Sequence, residues 1–113
     1  MTQHKDLPYI NHLLTAIEDI EKSTESVTKE QFINNKDLKD ANIRRIEILG
    51  EATKNISMTL KLKHPKVEWK EIIGTRDKMI HHYFGVNIDI VWEIIKKDLP
   101  VLKKKLLIIK ESL

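Results

Sequence analysis

Apolar residues recur every three to four positions along almost the whole chain, the spacing of helices that each bury one face. Leu7, Ile10, Leu14, Ile17 and Ile20 form one such stripe and predict a helix from about Leu7 to Lys22. Thr28 with Gln31 has the form of a capping box, in which each side chain satisfies the other residue's free backbone N–H; it opens a short helix to about Asn34. Asp37 is placed to cap a long helix running to about Leu62, striped by Ile43, Ile46, Leu49, Ala52, Ile56 and Leu60, with Pro65 just beyond its end. A fourth helix runs from Val67 or Trp69 to Tyr83, where Gly85 suits a left-handed ending. Asn87 can cap a fifth, with Asp89 in its positive first turn. That helix carries Val91, Ile94, Ile95, Leu99, Leu102, Leu106 and Ile109. Pro100 interrupts it, so the chain kinks there, or breaks and restarts with the proline in a first turn. No period-2 run is long enough for a strand, and there is no repeat or low-complexity segment. The pattern predicts an all-α, up-and-down bundle of four to five helices with short loops, one domain over residues 1–113.

The fifth helix is apolar on more than one side, through Leu106, Leu107, Ile108, Ile109 and Leu113. A helix of that kind is buried on several sides, and in so short a chain a second copy is a natural cover, so a homodimer is expected. With 113 residues and 41% hydrophobic content, one core forms without staples. There is no cysteine, which removes disulfides, thiolate metal sites and a cysteine nucleophile, and fits a reducing cytoplasm. Met1 reads as a native start, followed by no apolar leader. No apolar run nears the ~20 residues of a membrane span, so no membrane partner is expected.

Charge changes the picture less than its distribution among residue types does. The net charge is +3, from 20 basic and 17 acidic residues, which permits a polyanionic partner without demanding one. Arginine occurs only at Arg44, Arg45 and Arg76, so each invites a question. Arg76 opens the most chemically specific segment of the chain, Arg76-Asp77-Lys78-Met79-Ile80-His81-His82-Tyr83. A guanidinium is a permanent cation whose planar fork suits phosphate. Imidazole takes up and releases a proton near neutral pH. Together they can hold a phosphodiester and move a proton at it. On a straight helix Arg76 and Tyr83, seven apart, share a face, whereas His81 lies about 140° from Arg76. Arginine's long stem, a distortion near Gly85 or the meeting of two copies across a two-fold axis can each close that arc, and spacing does not choose among them. His81 and His82 also fall in the last turn, where free carbonyls favour imidazolium; plain helix capping accounts for them as well.

The remaining candidates are weaker. Adjacent histidines point about 100° apart and chelate poorly, and His4, His12 and His64 lack partners at ligand spacing, so no metal site is expected. No phosphate-cradling glycine loop or nucleophile elbow is present, and no cofactor is implied. Glu47 and Glu51 read as solvated surface beside the third stripe, with a supporting role near a site as the alternative. Gly50 costs its helix about 1 kcal/mol against alanine and can allow a close crossing. Trp69 and Trp92 read as core or interface aromatics.

The segment from Gly74 to Val86 resembles the signature of HepT-like proteins in the HEPN superfamily: arginine, four residues, histidine, one residue, tyrosine, filled here by Arg76, His81 and Tyr83. Arg45 to Asn55 is similar to the long-helix block of that family, and Ile90 to Leu102 to its C-terminal block. Thr75 departs from the apolar residue expected there and touches no motif position. The resemblance spans essentially the whole chain. It implies a toxin of a type VII-like toxin–antitoxin pair, a metal-independent ribonuclease working as a dimer with the motifs meeting in a cleft. The implied partner is an MntA-type minimal nucleotidyltransferase that silences it by transferring AMP to Tyr83. In that reading His81 moves the proton, Arg76 clamps the phosphate, and Asp77 or His82 assists. The competing reading is a non-catalytic helical module that holds a nucleotide or the nucleotidyltransferase in the same groove. The modest net charge keeps it open, since tight RNA binders usually show a clearer basic patch.

Overall fold

The computed structural model describes residues 2–74 and 87–113, with side chains from residue 5 onward. Every regular element among them is helical. Helix α1 spans Thr2–Thr24, α2 Lys29–Ile33, α3 Lys36–Lys54 and α4 Met58–Lys63. Helix α5 takes in residues 69–74. Helix α6 spans Ile88–Glu93, a π-helical turn follows over Ile94–Asp98, and α7 spans Leu99–Ser112.

The predicted stripes are the core. From α1, Ile10, Leu13, Ile17 and Ile20 are fully buried. They face Ile43, Ile46 and Leu49 of α3, with Val91, Ile95, Leu99, Leu106 and Ile109 of the C-terminal run. Each such side chain contributes about 1.5–3 kcal/mol by leaving water. Phe32 carries the short α2 into this core and lies 5.2 Å, ring to ring, from Trp92. The capping box that announces α2 is formed in full: Gln31 N–H donates to Thr28 Oγ1 at 3.1 Å, and Thr28 N–H to Gln31 Oε1 at 3.0 Å.

Polar clips fix how the helices run. Ser23 Oγ donates to Asn42 Oδ1 at 3.1 Å, and Asp6 accepts from Ser57 at the opposite end of α1, so α1 and α3 are antiparallel. Lys103 pairs with Glu21 at 2.9 Å and Lys96 Nζ donates to the Thr24 carbonyl at 2.9 Å, tying the C-terminal run to the end of α1. The hydrogen bond that Lys103 donates to Glu21, only partly opposed by desolvation, leaves Lys103 above its ordinary lysine value. A raised pKa stabilises the fold below the unfolded lysine value and is lost only as pH climbs through the folded one. This clip is therefore intact at neutral pH.

Three boundaries differ from the expected ones. The expected helix from Asp37 to Leu62 is two helices. Its N-cap is Asn35, whose Oδ1 accepts from Leu38 N–H at 3.0 Å, and Asp37 sits in the first turn. Asn55 closes α3 with a tight turn to the Ala52 and Thr53 carbonyls, and Ser57 restarts the chain as the N-cap of α4. Ile56 and Leu60 stay buried across this break, which is why the stripe runs through it unmarked. In the C-terminal run the interruption lies before Pro100. Leu99 N–H donates to the Ile94 carbonyl, one residue beyond the α register, and Pro100 takes the second position of α7. Proline has no N–H for the Lys96 carbonyl and its ring crowds that oxygen; the widened turn relieves the clash without ending the helix. Finally, α1 begins before Leu7 and carries Pro8 within it.

Candidate functional site

The motif residues Arg76, Asp77, His81, His82 and Tyr83, and the helix ending expected at Gly85, lie outside the described residues. What the structure gives is the frame on either side of them. On the N-terminal side, α5 is anchored by Trp69, whose ring is buried and whose Nε1 donates to the His64 carbonyl at 3.1 Å. Its last described residue, Gly74, stands two positions before Arg76. On the C-terminal side, Asn87 caps α6 as expected: Oδ1 accepts from Asp89 N–H at 2.9 Å. Asp89 also meets Lys29 of α2 at 2.9 Å, which fixes the start of α6 against the second helix.

Helix α5 forms one wall of a groove of about 280 Å³. Its floor is apolar, from Ile46 and Leu49 of α3, Ile72 of α5, and Leu99 and Leu102 of α7; Glu68, Glu71, Asp98 and Lys105 line its rim. Ile94 and Asp98 come from the π-helical turn, so the distortion that accommodates Pro100 also shapes the groove. Val101, at 53% exposure, leaves part of this surface open to solvent.

Both described arginines are accounted for within α3. Arg45 Nη1 donates to Oδ1 of the fully buried Asn42 at 3.1 Å, alongside Ser23, while Asn42 Nδ2 donates to the Leu38 carbonyl at 3.1 Å. This is a closed polar network that positions α3 against α1, and the spacing of Asn42 and Arg45 is its sequence signal. Arg44 Nη1 reaches Glu47 Oε2 at 3.2 Å. The Glu47 side chain is only 16% exposed, so it is not the solvated residue expected. It lines a second cavity of about 460 Å³ with Tyr9, His12, Arg44, Ile48, Glu51, Ala52 and Asn55, between α1 and α3. With two carboxylates beside the single guanidinium, that lining does not favour a phosphate.

A clip that the sequence reading missed is Asp6. It is 2% exposed, and its carboxylate accepts the Ser57 backbone N–H at 2.8 Å and the Ser57 hydroxyl at 2.6 Å. An aspartate in the first turns of a helix carries no local mark of a partner 51 residues away. Trp92, expected in the core or an interface, is partly buried and takes the Lys96 ammonium over its ring at 4.9 Å. Among the described residues no helix is long and apolar enough to cross a membrane.

Comparison with known proteins bears on most of the chain. The family model described as Ribonuclease HepT-like matches residues 13–109. A Thermococcus cleftensis protein named Probable ribonuclease HepT is 44% identical over 102 residues, covering 90% of this chain and 91% of that one. A Caldanaerobacter subterraneus protein with RNase in its name is 45% identical over 98 residues, covering 87% and 88%. A Methanocaldococcus jannaschii protein whose name joins gamma-glutamylcyclotransferase to RNase is 48% identical over 105 residues. The match covers 93% of this chain but 47% of that longer protein. No solved structure matches.

Proposed function

The chain belongs to the Ribonuclease HepT-like family, whose chemistry is RNA cleavage, and from that premise we propose that Arg76 and His81 carry the reaction as the toxin of a toxin–antitoxin pair. The observation that supports this most is that the match over residues 13–109 contains the whole Arg76, His81, Tyr83 spacing. Both described arginines are engaged inside α3, one with Asn42 and one with Glu47.

The chemistry follows from the groups. The ribose 2′-hydroxyl attacks the adjacent phosphorus, the bond from phosphorus to the 5′ oxygen breaks, and a 2′,3′-cyclic phosphate and a free 5′-hydroxyl result. The nucleophile must lose a proton and the leaving oxygen must gain one. His81 handles that proton traffic, a role worth about 10²–10⁴-fold. Arg76 holds the non-bridging oxygens by charge-assisted hydrogen bonds that strengthen as the phosphorane gains charge. Asp77 and His82 are auxiliary, orienting the arginine or the catalytic imidazole. No metal or cofactor is needed for this scheme.

Tyr83 is the off-switch in the same reading. On a straight helix it would share a face with Arg76, and an AMP group transferred to its hydroxyl by an MntA-type nucleotidyltransferase antitoxin would then place bulk and negative charge where RNA must lie. The experiment is cleavage of single-stranded RNA by the purified chain, with Arg76→Ala, His81→Ala and Tyr83→Phe, before and after co-expression with a nucleotidyltransferase. Arg76→Ala and His81→Ala are expected to lose at least about 10²-fold in rate. Intact mass is expected to rise in steps of AMP for the wild type and not for Tyr83→Phe. Wild-type rates in His81→Ala would remove the assignment.

A further inference from the structure

The net charge of +3 conceals a sharp asymmetry. Residues 54–70 hold Lys54, Lys61, Lys63, Lys66 and Lys70 against the single carboxylate of Glu68, a formal +4 that exceeds the charge of the whole chain. Residues 18–30 hold five carboxylates against two lysines, a formal −3. The fold sets the start of α4 apart from Glu25. Asp6 clips the start of α4 to the start of α1, and Glu25 lies just past the other end of α1, nineteen residues or about 28 Å away at 1.5 Å per residue.

The basic stretch runs from the end of α3 through α4 and the turn after it to the start of α5. Lys105 of α7 adds its ammonium there by donating to the Lys66 carbonyl at 2.9 Å. Lys63, Lys66 and Lys70 are exposed. Among the described residues Lys61, Lys63, Lys66 and Lys70 form no ion pair, whereas Lys29, Lys36, Lys97 and Lys103 each do. Between the lysines, Met58 and Leu62 stand four apart on one face of α4, 67% and 73% exposed. Free ammonium groups interleaved with exposed apolar side chains suit a strand that offers phosphates and unstacked bases. Helix α5 then leads from Lys70 to Gly74, at the edge of the motif segment.

We propose that this lysine face is an RNA-docking surface, gripping the phosphate backbone of single-stranded RNA to one side of the scissile bond. It rests on the ribonuclease reading and supplies what that reading lacked, a basic patch. Because the contacts are ammonium to phosphate, the grip is independent of sequence and weakens steeply with salt.

The test separates docking from cleavage. Binding is measured by fluorescence anisotropy with a 2′-O-methyl RNA of about 12 nucleotides, which has no nucleophile, across a salt series. The unmodified strand is assayed for cleavage in parallel. The triple variant Lys63→Gln, Lys66→Gln, Lys70→Gln is compared with Lys22→Gln, Lys36→Gln, Lys39→Gln, which removes equal charge elsewhere. The first is expected to flatten the slope of log Kd against log salt by about 2 and raise Kd at least tenfold at about 0.1 M salt. The second is expected to leave the slope at the wild-type value. Equal slopes in the wild type and the first variant, no binding by the wild type, or a change in oligomeric state without a change in RNA affinity would each overturn the proposal. If the wild type binds through these lysines but leaves the unmodified strand intact, the docking surface stands and the ribonuclease reading falls.

Discussion

Asp6 joins two distant parts of the chain with one side chain. Its two oxygens take the Ser57 N–H and hydroxyl at 2.8 and 2.6 Å in a site where the residue is 2% exposed. Ser57 in turn caps α4 by accepting from Leu60 N–H at 3.2 Å. A hydrogen bond to a carboxylate is worth about 1.5–3 kcal/mol, and an unsatisfied buried donor costs about 1–3 kcal/mol. Asp6→Ala is therefore expected to lower unfolding free energy by about 2–3 kcal/mol. Asp6→Asn, which keeps one acceptor for the backbone N–H, should lose about half as much. Ser57→Ala removes a cap and one of the two bonds, for about 1–2 kcal/mol. Urea denaturation of the singles and the Asp6→Ala, Ser57→Ala double tests the coupling: strictly additive losses would mean that the two residues act independently. None of this is written locally in the sequence. Capping pairs three residues apart, such as Thr28 with Gln31, are legible; a carboxylate paired across 51 positions is not, because nothing near Asp6 specifies its partner.

Among the elements, periodicity located the helices and failed at their joints for one physical reason. Burial is continuous through the Asn55–Ser57 break, since Ile56 and Leu60 both remain in the core. A stripe records which residues are buried, and the backbone can change direction without interrupting it. Pro100 is the opposite case: its chemistry demanded a disturbance, and the chain answered with the π-helical turn Ile94–Asp98 rather than a break. Lys96 sits inside that turn and works at two places. Its ammonium donates to the Thr24 carbonyl at 2.9 Å, satisfying the C-terminus of α1, and lies 4.9 Å from the Trp92 ring centre. A charged C-terminal contact and a cation–π contact together are worth about 1–2 kcal/mol. Lys96→Ala should lower stability by that amount, and Lys96→Met, which keeps the apolar stem, by less. Guanidinium unfolding of the three proteins measures it, and losses below about 0.3 kcal/mol in both variants would show that the ammonium does not bind the two elements together.

For the molecule as a whole, the motif and the outer face of α7 pose one question. On a straight helix Arg76 and His81 diverge by about 140°, too far for one copy to aim both at a single phosphate without help. The sequence made that mismatch readable and left its resolution open, because angular spacing says nothing about neighbours. The structure adds that α7 keeps apolar residues outside the core: Val101 is 53% exposed and Ile108 64%, and being seven apart they share a face. We expect a second copy to cover that face and bring two motif segments together. Val101→Glu with Ile108→Glu places two charges on exposed positions, so the monomer fold should be spared while association is blocked. Sedimentation equilibrium is expected to show a dimer for the wild type and a monomer for the double variant, with helical dichroism unchanged. Cleavage of RNA should fall with the loss of the dimer, by at least about 10²-fold if each site needs groups from both copies. A variant that sediments as a monomer and still cleaves at the wild-type rate would place Arg76 and His81 in one chain's site. It would then leave the arginine's reach, or a distortion near Gly85, to close the arc.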